Sequence, residues 1–322
     1  MNVVNHKRQL QILTGSQHSA LAHAVAERMG AEINPTQLTR FANGEVKCQI
    51  KESVRGKDLF VFQTHDKPVN DAILEQAIII DAAKRASARH ITAVCPFFGY
   101  ARQDRKSLGR EPITAKLIVD ILAVAGAKRL VSVDLHSGQI QGYFNGPFDH
   151  LVSLPVLAEY LKKTFGNDFV IVSPDAGRVK LAERYSSRLG TELAIVHKRR
   201  TSTNKSEALD VIGDVKGKHC VLVDDMVDTA GTLCAAAEQL IGHGATKVSA
   251  IATHGIFSDP AEQRLRESVI DSIAVTDTLP LPEGFALDKV KVVSIVDLLA
   301  DAIMAIFAEG SVSALFDGQN HM

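Results

Sequence analysis

The chain has 322 residues, 46% hydrophobic and 23% charged, a balance that suits a globular protein and a length that suits two ordinary domains. Lys plus Arg number 36 against 37 Asp plus Glu, a net charge of −1, which excludes a broad basic footprint for nucleic acid. No apolar run approaches the roughly 18 residues of a membrane span, and no early apolar region resembles a secretory signal, so no membrane partner and a cytoplasmic location are expected.

In chain order, strand-like and helix-like patterns alternate. QLQILTG reads as a strand and residues 18–29 as a helix with Leu21, Val25 and Met29 on one face. DLFVFQ is a strand, 71–85 a helix, ITAVCPFF a strand, 114–125 a helix and RLVSVDL a strand. The second half repeats the habit with a helix at 155–165, the strand FVIVS, a helix at 179–189, and the strands ELAIVHK and HCVLV. An Ala-rich helix follows, then KVSAIATH, SIAVTD and VKVVSI as further strands, and an amphipathic helix cut by Asp297 and Asp301. Such alternation predicts an α/β protein, its mostly parallel sheets flanked by helices.

ILTGSQHSALAHAVAERMGAE can be laid on IVSPDAGRVKLAERYSSRLGTE, matching Leu21 with Leu181, Arg28 with Arg188, Gly30 with Gly190 and Glu32 with Glu192. This internal repeat predicts two similar domains, 1–150 and 151–322, with the boundary near PFDHLVSLP and a last helix free to pack back on the first domain. Four cysteines form no CxxC pair, and Cys48, Cys95 and Cys220 sit in apolar strand-like runs, so free buried thiols in a reducing compartment are expected.

The segment HCVLVDDMVDTAGT at 219–232 carries the most chemistry. A short apolar strand ends in Asp224 and Asp225, and a turn of Asp228, Thr229, Ala230, Gly231 and Thr232 leads into a helix. Backbone N–H groups and the dipole at a helix start favour a phosphate. Ionised carboxylates are acceptor-only partners for the hydroxyls of a sugar. A phosphorylated ribose satisfies both halves; a plainly capped strand–turn–helix is the alternative. Polar residues also follow other strands: Arg102, Gln103 and Asp104; Asp134 and His136; Asp175. Ligands of open parallel sheets bind beyond the carboxyl ends of the strands. His and carboxylates with open positions suit Mg²⁺ bridged to phosphates, although a lone His136 also fits a hydrogen-bonded structural role. VHKRRTSTNKSEALD carries Lys198, Arg199 and Arg200 into a polar stretch without apolar periodicity. It reads either as a mobile loop closing over a polyphosphate or as a solvated hairpin tip. No GxxxxGK[ST] occurs and no GxGxxG follows a strand, so any use of ATP lies outside the P-loop and Rossmann designs.

These residues resemble the ribose-phosphate pyrophosphokinases along nearly the whole length: FANGEV at 41–46, PFFGYARQDR at 96–105, DLHSGQIQGYF at 134–144, SPDAG at 173–177, HKRR at 197–200, VDDMVDTAGT at 223–232, ATHGIF at 252–257 and SVSALF at 311–316. The acidic-pair loop is shared with many phosphoribosyltransferases, whereas YARQDR together with DLHSGQIQGYF is specific to the synthetases. The resemblance implies two phosphoribosyltransferase-type domains. It also implies transfer of the β,γ-diphosphoryl group of Mg-ATP to the anomeric hydroxyl of ribose 5-phosphate, giving phosphoribosyl pyrophosphate and AMP. By the same resemblance, Lys198 and Arg200 are catalytic, and Arg200 also touches the sugar phosphate. Phe41, Asn43, Gly44, Glu45, Arg102 and Gln103 bind ATP. Asp224, Asp225, Asp228, Thr229, Ala230, Gly231 and Thr232 bind ribose 5-phosphate, and His136 and Asp175 position Mg²⁺. The family's adenine pocket draws on a neighbouring subunit, which implies a homo-oligomer, commonly a hexamer. The SVSALF end implies a regulatory site, with inorganic phosphate as a candidate activator. One departure stands out: the family usually reads SPDxGG, and here Arg178 follows Gly177. Arg178 either alters this turn or begins the helix.

Overall fold

The computed structural model describes residues 8–200 and 207–316, and only the backbone at 198–200 and 207–209. The chain divides into two units, one of Met1–Val152 with Val296–Met322, the other of Ser153–Ile295.

The first unit is built on a sheet of five strands. Strand β1 spans Leu10–Thr14, and strands β2 (Thr36–Arg40) and β3 (Val46–Ile50) form a hairpin outside the main sheet. Strands β4 (Asp58–Phe62), β5 (His90–Cys95), β6 (Arg129–Val133) and β7 (Phe148–Leu151) complete the sheet in the order β1-β4-β5-β6-β7, every pair parallel. All five residues of β4 are buried, as expected of a strand covered on both faces by helices. Helices α1 (Ser19–Met29), α2 (Val69–Arg85) and α3 (Thr114–Ala125) supply that cover. Ile73, Ile79 and Ile80 of α2 and Ile118, Val119 and Leu122 of α3 join Leu59, Val61, Ile91 and Leu130 of the sheet in one core. Gly15 allows a close approach after β1: a Cβ there would lie 2.2 Å from Oε1 of the buried Gln63.

His65, just past β4, is completely buried. Its Nδ1 accepts from the Gly99 N–H at 2.9 Å, so Nε2 carries the proton and donates to Gln76 Oε1 at 2.9 Å. Burial drives the imidazole down from its ordinary 6.5 to about 4. The unfolded chain therefore takes up a proton at a pH where the folded chain does not. This contribution to stability is complete above pH 6.5 and falls by up to ~3 kcal/mol as the pH drops to about 4. Urea denaturation across that window is expected to show the fall in the wild type and a shallower one in His65→Gln; equal slopes would remove the assignment.

The second unit holds a sheet of seven strands in the order β10-β9-β8-β11-β12-β13-β14. These are β8 (Val170–Ser173), β9 (Glu192–Arg200), β10 (Glu207–Ile212), β11 (His219–Val227), β12 (Lys247–Gly255), β13 (Ser272–Thr276) and β14 (Val290–Val293). All neighbours are parallel except the antiparallel edge pair β9–β10. Helices α4 (Leu154–Phe165), α5 (Val179–Leu189), α6 (Gly231–Gly242) and α7 (Ala261–Glu267) belong to this unit. Pro155 lies in the first turn of α4, where its missing N–H costs nothing.

The internal repeat has a structural counterpart. Helices α1 and α5 occupy the aligned residues, and each ends on a left-handed glycine, Gly30 at φ 61° and Gly190 at φ 66°. Helix α8 (Val296–Phe307) groups with the first unit, packed beside α1, where Arg28 of α1 meets Asp297 at 2.6 Å.

Several elements depart from expectation. The hairpin β2–β3 and the strand β10 were not anticipated, and residues 148–151, read as a break in pattern, form the edge strand β7. Strand β11 does not stop before the acidic pair. It runs through it to Val227, because β12 lies alongside and pairs with Asp224, Met226 and Val227. The four cysteines are free, but Cys48 and Cys234 are only half-buried, since β3 lies outside the main sheet and Cys234 sits at the start of α6. Burial pushes the Cys95 thiol up to about 12 and that of Cys220 up to about 11, so neither is a ready nucleophile.

Candidate active site

In the second unit the acidic pair lies past the point where β11 leaves β8, whose last register partner is Leu222. Asp225 is buried and Asp224 nearly so. The Asp225 N–H donates to Asp224 Oδ1 at 2.8 Å. Burial pushes the Asp224 carboxyl well above the carboxylate range, and Asp225 adds to the shift; Arg178 pulls it back. The Arg178 guanidinium spans the pair, with Nε 3.0 Å from Asp224 Oδ1 and Nη2 2.8 Å from Asp225 Oδ1.

The turn after β11 passes through Asp228 and Thr229 to Ala230, which takes a left-handed φ of 60° before α6 opens at Gly231. Arg264 of α7 fastens this turn, its Nη1 donating to the Thr229 carbonyl at 3.0 Å. Arg264 was not among the expected site residues. Nothing local to RLRE distinguishes it from an ordinary exposed helix cation.

Asp175 sits beyond the carboxyl end of β8 and starts a single 3-10 turn at Ala176–Arg178. Its Oδ1 accepts the N–H groups of Gly177 at 2.7 Å and Arg178 at 3.2 Å. Arg178 ends that turn and precedes α5 with φ −104°, a conformation open to any residue, so no glycine is required there. Lys198 and Arg200 lie at the end of β9, beside the edge strand β10 and in backbone register with its Leu209 and Glu207. The basic segment is therefore the two arms of a hairpin, and its expected mobile portion at 201–206 lies outside the described residues.

In the first unit, two expected segments follow the neighbouring strands β5 and β6. Gln103 is tied to the start of α3: its Oε1 accepts from the Thr114 hydroxyl at 2.6 Å, and its carbonyl from the Ala115 N–H at 3.1 Å. Arg102 is exposed. Asp104 is buried and receives the Gln139 side-chain amide, while the Tyr143 hydroxyl donates to the Asp104 carbonyl. YARQDR and DLHSGQIQGYF are thus one hydrogen-bonded assembly, which explains why the two motifs occur together. His136 lies in the second motif, two residues beyond Asp134, whose φ of 38° is left-handed. Phe41, Asn43, Gly44 and Glu45 form the tip of the β2–β3 hairpin. The Glu45 N–H donates to Asn43 Oδ1 at 3.2 Å, Gly44 has φ 91°, and Phe41 is 54% exposed.

Among the described residues no three His, Cys, Asp or Glu side chains form a metal-binding cluster. A site for Mg²⁺ needs only one or two carboxylates together with substrate oxygens and waters. Asp175, half-buried at a strand end and engaged by backbone N–H groups at Oδ1, fits as such a donor. A cavity of about 430 Å³ lies at the amino ends of β4, β5 and β6, lined by Arg8, Asp58, Arg89, Lys128 and Phe307 among others. It is on the opposite edge of that sheet from the two motifs. Arg8 and Arg89 there are both committed to Asp58, at 2.8 and 2.7 Å.

A family model described as the N-terminal domain of ribose phosphate pyrophosphokinase matches residues 10–126. A second, the phosphoribosyl synthetase-associated domain, matches residues 200–317. A ribose-phosphate pyrophosphokinase of Streptomyces avermitilis is 51% identical over 316 residues, covering 97% of this chain and 98% of the relative. One from Caldanaerobacter subterraneus is 50% identical over 98% of this chain and 100% of the relative. The crystal structure of a phosphoribosylpyrophosphate synthetase from Mycobacterium smegmatis superposes with a TM-score of 0.90 at 46% identity, covering 94% of this chain and all of that one.

Proposed function

The chain belongs to the ribose-phosphate pyrophosphokinase family, and from that footing we propose that its turn at 224–232 receives ribose 5-phosphate and that its β9–β10 hairpin supplies the transfer cations. The enzyme is a ribose-phosphate diphosphokinase. The anomeric hydroxyl of ribose 5-phosphate forms a bond to the β-phosphorus of ATP, the bond between that phosphorus and the α-phosphate oxygen breaks, and AMP leaves. The hydroxyl proton goes to solvent or a base as the bond forms.

In the proposed arrangement Asp224 and Asp225 accept sugar hydroxyls. Asp228, Thr229, Ala230, Gly231 and Thr232 cradle the 5-phosphate at the start of α6, where backbone N–H groups point outward. Lys198 and Arg200 stabilise the charge of the moving diphosphoryl group, and Arg200 also meets the sugar phosphate. Arg102 and Gln103 contact ATP. Asp175 and His136 would hold Mg²⁺, which when bound neutralises the charge of the ATP phosphates. Phe41, Asn43, Gly44 and Glu45 serve the adenine of a neighbouring subunit, a role suited to an exposed aromatic at a hairpin tip. That role requires a homo-oligomer, and a hexamer is proposed. Each unit would be a phosphoribosyltransferase-type domain, working in the cytoplasm, with inorganic phosphate as an activator through residues 311–316. Among the described residues no helix is long and apolar enough to cross a membrane.

The observation that carries the sugar reading is the acidic pair in the last part of β11, two residues before a turn with left-handed Ala230 and a helix start. Purified protein with ATP, Mg²⁺ and ribose 5-phosphate is expected to release AMP in equal amount to phosphoribosyl pyrophosphate. Omission of Mg²⁺ is expected to stop it, and inorganic phosphate to raise the rate. AMP release independent of ribose 5-phosphate would overturn the assignment of the turn.

A further inference from the structure

Arg178 has no part in the arrangement above, yet its guanidinium pairs with both members of the acidic pair. Its place follows from the strand order. Strands β8 and β11 are parallel neighbours, so the turn leaving β8 stands beside the residues leaving that pairing in β11. Asp175 caps the turn through the Gly177 and Arg178 N–H groups and thereby sets the direction in which the Arg178 side chain departs. The guanidinium then reaches Oδ1 of Asp224 and Oδ1 of Asp225 at 3.0 and 2.8 Å. The Arg178 side chain is only 20% exposed, against 16% for Asp224 and 7% for Asp225. Asp224 Oδ1 is held twice, since the Asp225 N–H also donates to it.

Two buried carboxyl groups in adjacent positions repel one another when ionised, and a cation bridging them offsets part of that repulsion and of the cost of burial. Arginine is the side chain suited to the task. It is always charged, and its planar fork fixes two acceptors at once, whereas a lysine ammonium supplies a point charge without that geometry.

We propose that Arg178 is the positioning residue of the acidic pair: by bridging the two carboxylates it fixes them relative to one another where they meet a vicinal diol, and so makes the enzyme selective for a pentose phosphate that carries both hydroxyls. This deepens the sugar-binding role given to Asp224 and Asp225 and rests on it.

The test is steady-state kinetics of AMP release by the full-length enzyme, wild type against Arg178→Gln, Arg178→Lys and Asp224→Asn, with thermal melts of each. The competitor is 2-deoxyribose 5-phosphate, which lacks one hydroxyl of the diol. Arg178→Gln is expected to raise the KM for ribose 5-phosphate about tenfold, the worth of one charge-assisted hydrogen bond, with kcat and the KM for ATP within about twofold. The inhibition constant of the deoxy sugar should hardly move, so the enzyme's preference for the full diol drops about tenfold. Arg178→Lys should recover part of the KM and little of the preference. A folded Arg178→Gln or Arg178→Lys enzyme with wild-type sugar KM and preference would overturn the proposal. So would a parallel rise of both KM values with a lowered melting temperature, the mark of a purely structural role. Asp224→Asn separates the two levels. If it leaves the sugar KM unchanged, the sugar site itself is misplaced; if it raises that KM while Arg178→Gln does not, only the role of Arg178 falls.

Discussion

Lys198→Ala is expected to lower kcat by about three orders of magnitude while the KM values for ATP and ribose 5-phosphate stay within about threefold. The reason lies in when the cation matters. Phosphoryl transfer through a loose transition state asks little covalent chemistry of the protein and much charge stabilisation. A cation brought to the moving diphosphoryl group gains most as the bond to the leaving AMP oxygen lengthens. Its loss then appears in kcat and not in ground-state binding. Lys198 lies near the end of β9, past Ile195 where the pairing with β8 ends, so its described strand neighbour is β10, the edge of the sheet. An edge hairpin has no further strand to hold it and is suited to approach a bound substrate and withdraw. Lys198→Arg should restore part of the rate by returning the charge at a different reach. Single-turnover AMP release separates chemistry from product release, and near-normal turnover of Lys198→Ala would rule the role out.

Asp224→Ala is expected to act on the other substrate. The KM for ribose 5-phosphate should rise about a hundredfold, through loss of a hydrogen-bonding carboxyl and of the fixed partner of Asp225, while the KM for ATP moves little. The fold should survive. Removing one member of a buried like-charge pair relieves repulsion, and Arg178 keeps a carboxylate partner in Asp225 at 2.8 Å. Melting curves of the variant should accordingly lie close to those of the wild type. Unchanged saturation by ribose 5-phosphate in a folded Asp224→Ala enzyme would show that the pair does not receive the sugar.

Much of the fold could be read directly. The runs LFVF and ITAVC are almost wholly apolar, and both are buried in central strands. Helices α1 and α5 stand where the repeat put them, each closed by its glycine. The hairpin β2–β3 was missed although a signal was present: Asn43–Gly44 lies between two alternating runs, the pattern of a tight hairpin. Strand β10 carried no such signal. Its EALDVI shows no strict alternation, and it is a strand because β9 offers it an edge to pair with.

The candidate site divides along the same line. Asp175, Asp224 and the turn at 228–232 declare themselves locally, because carboxylates and small residues at a strand-to-helix junction are improbable unless something polar binds there. Asp104, Gln139 and Tyr143 are ordinary in isolation and become one unit only because β5 and β6 are adjacent.

Periodicity, caps and turn residues are short-range effects, each acting within a few residues of the chain, and they were enough to establish an alternating α/β protein and where its strand ends carry chemistry. Which strands lie side by side is a long-range outcome of burying both faces of each sheet. That outcome alone extended β11 through its acidic residues, drew α8 to α1, and turned Arg178 from a break in a familiar motif into the counter-charge of Asp224 and Asp225.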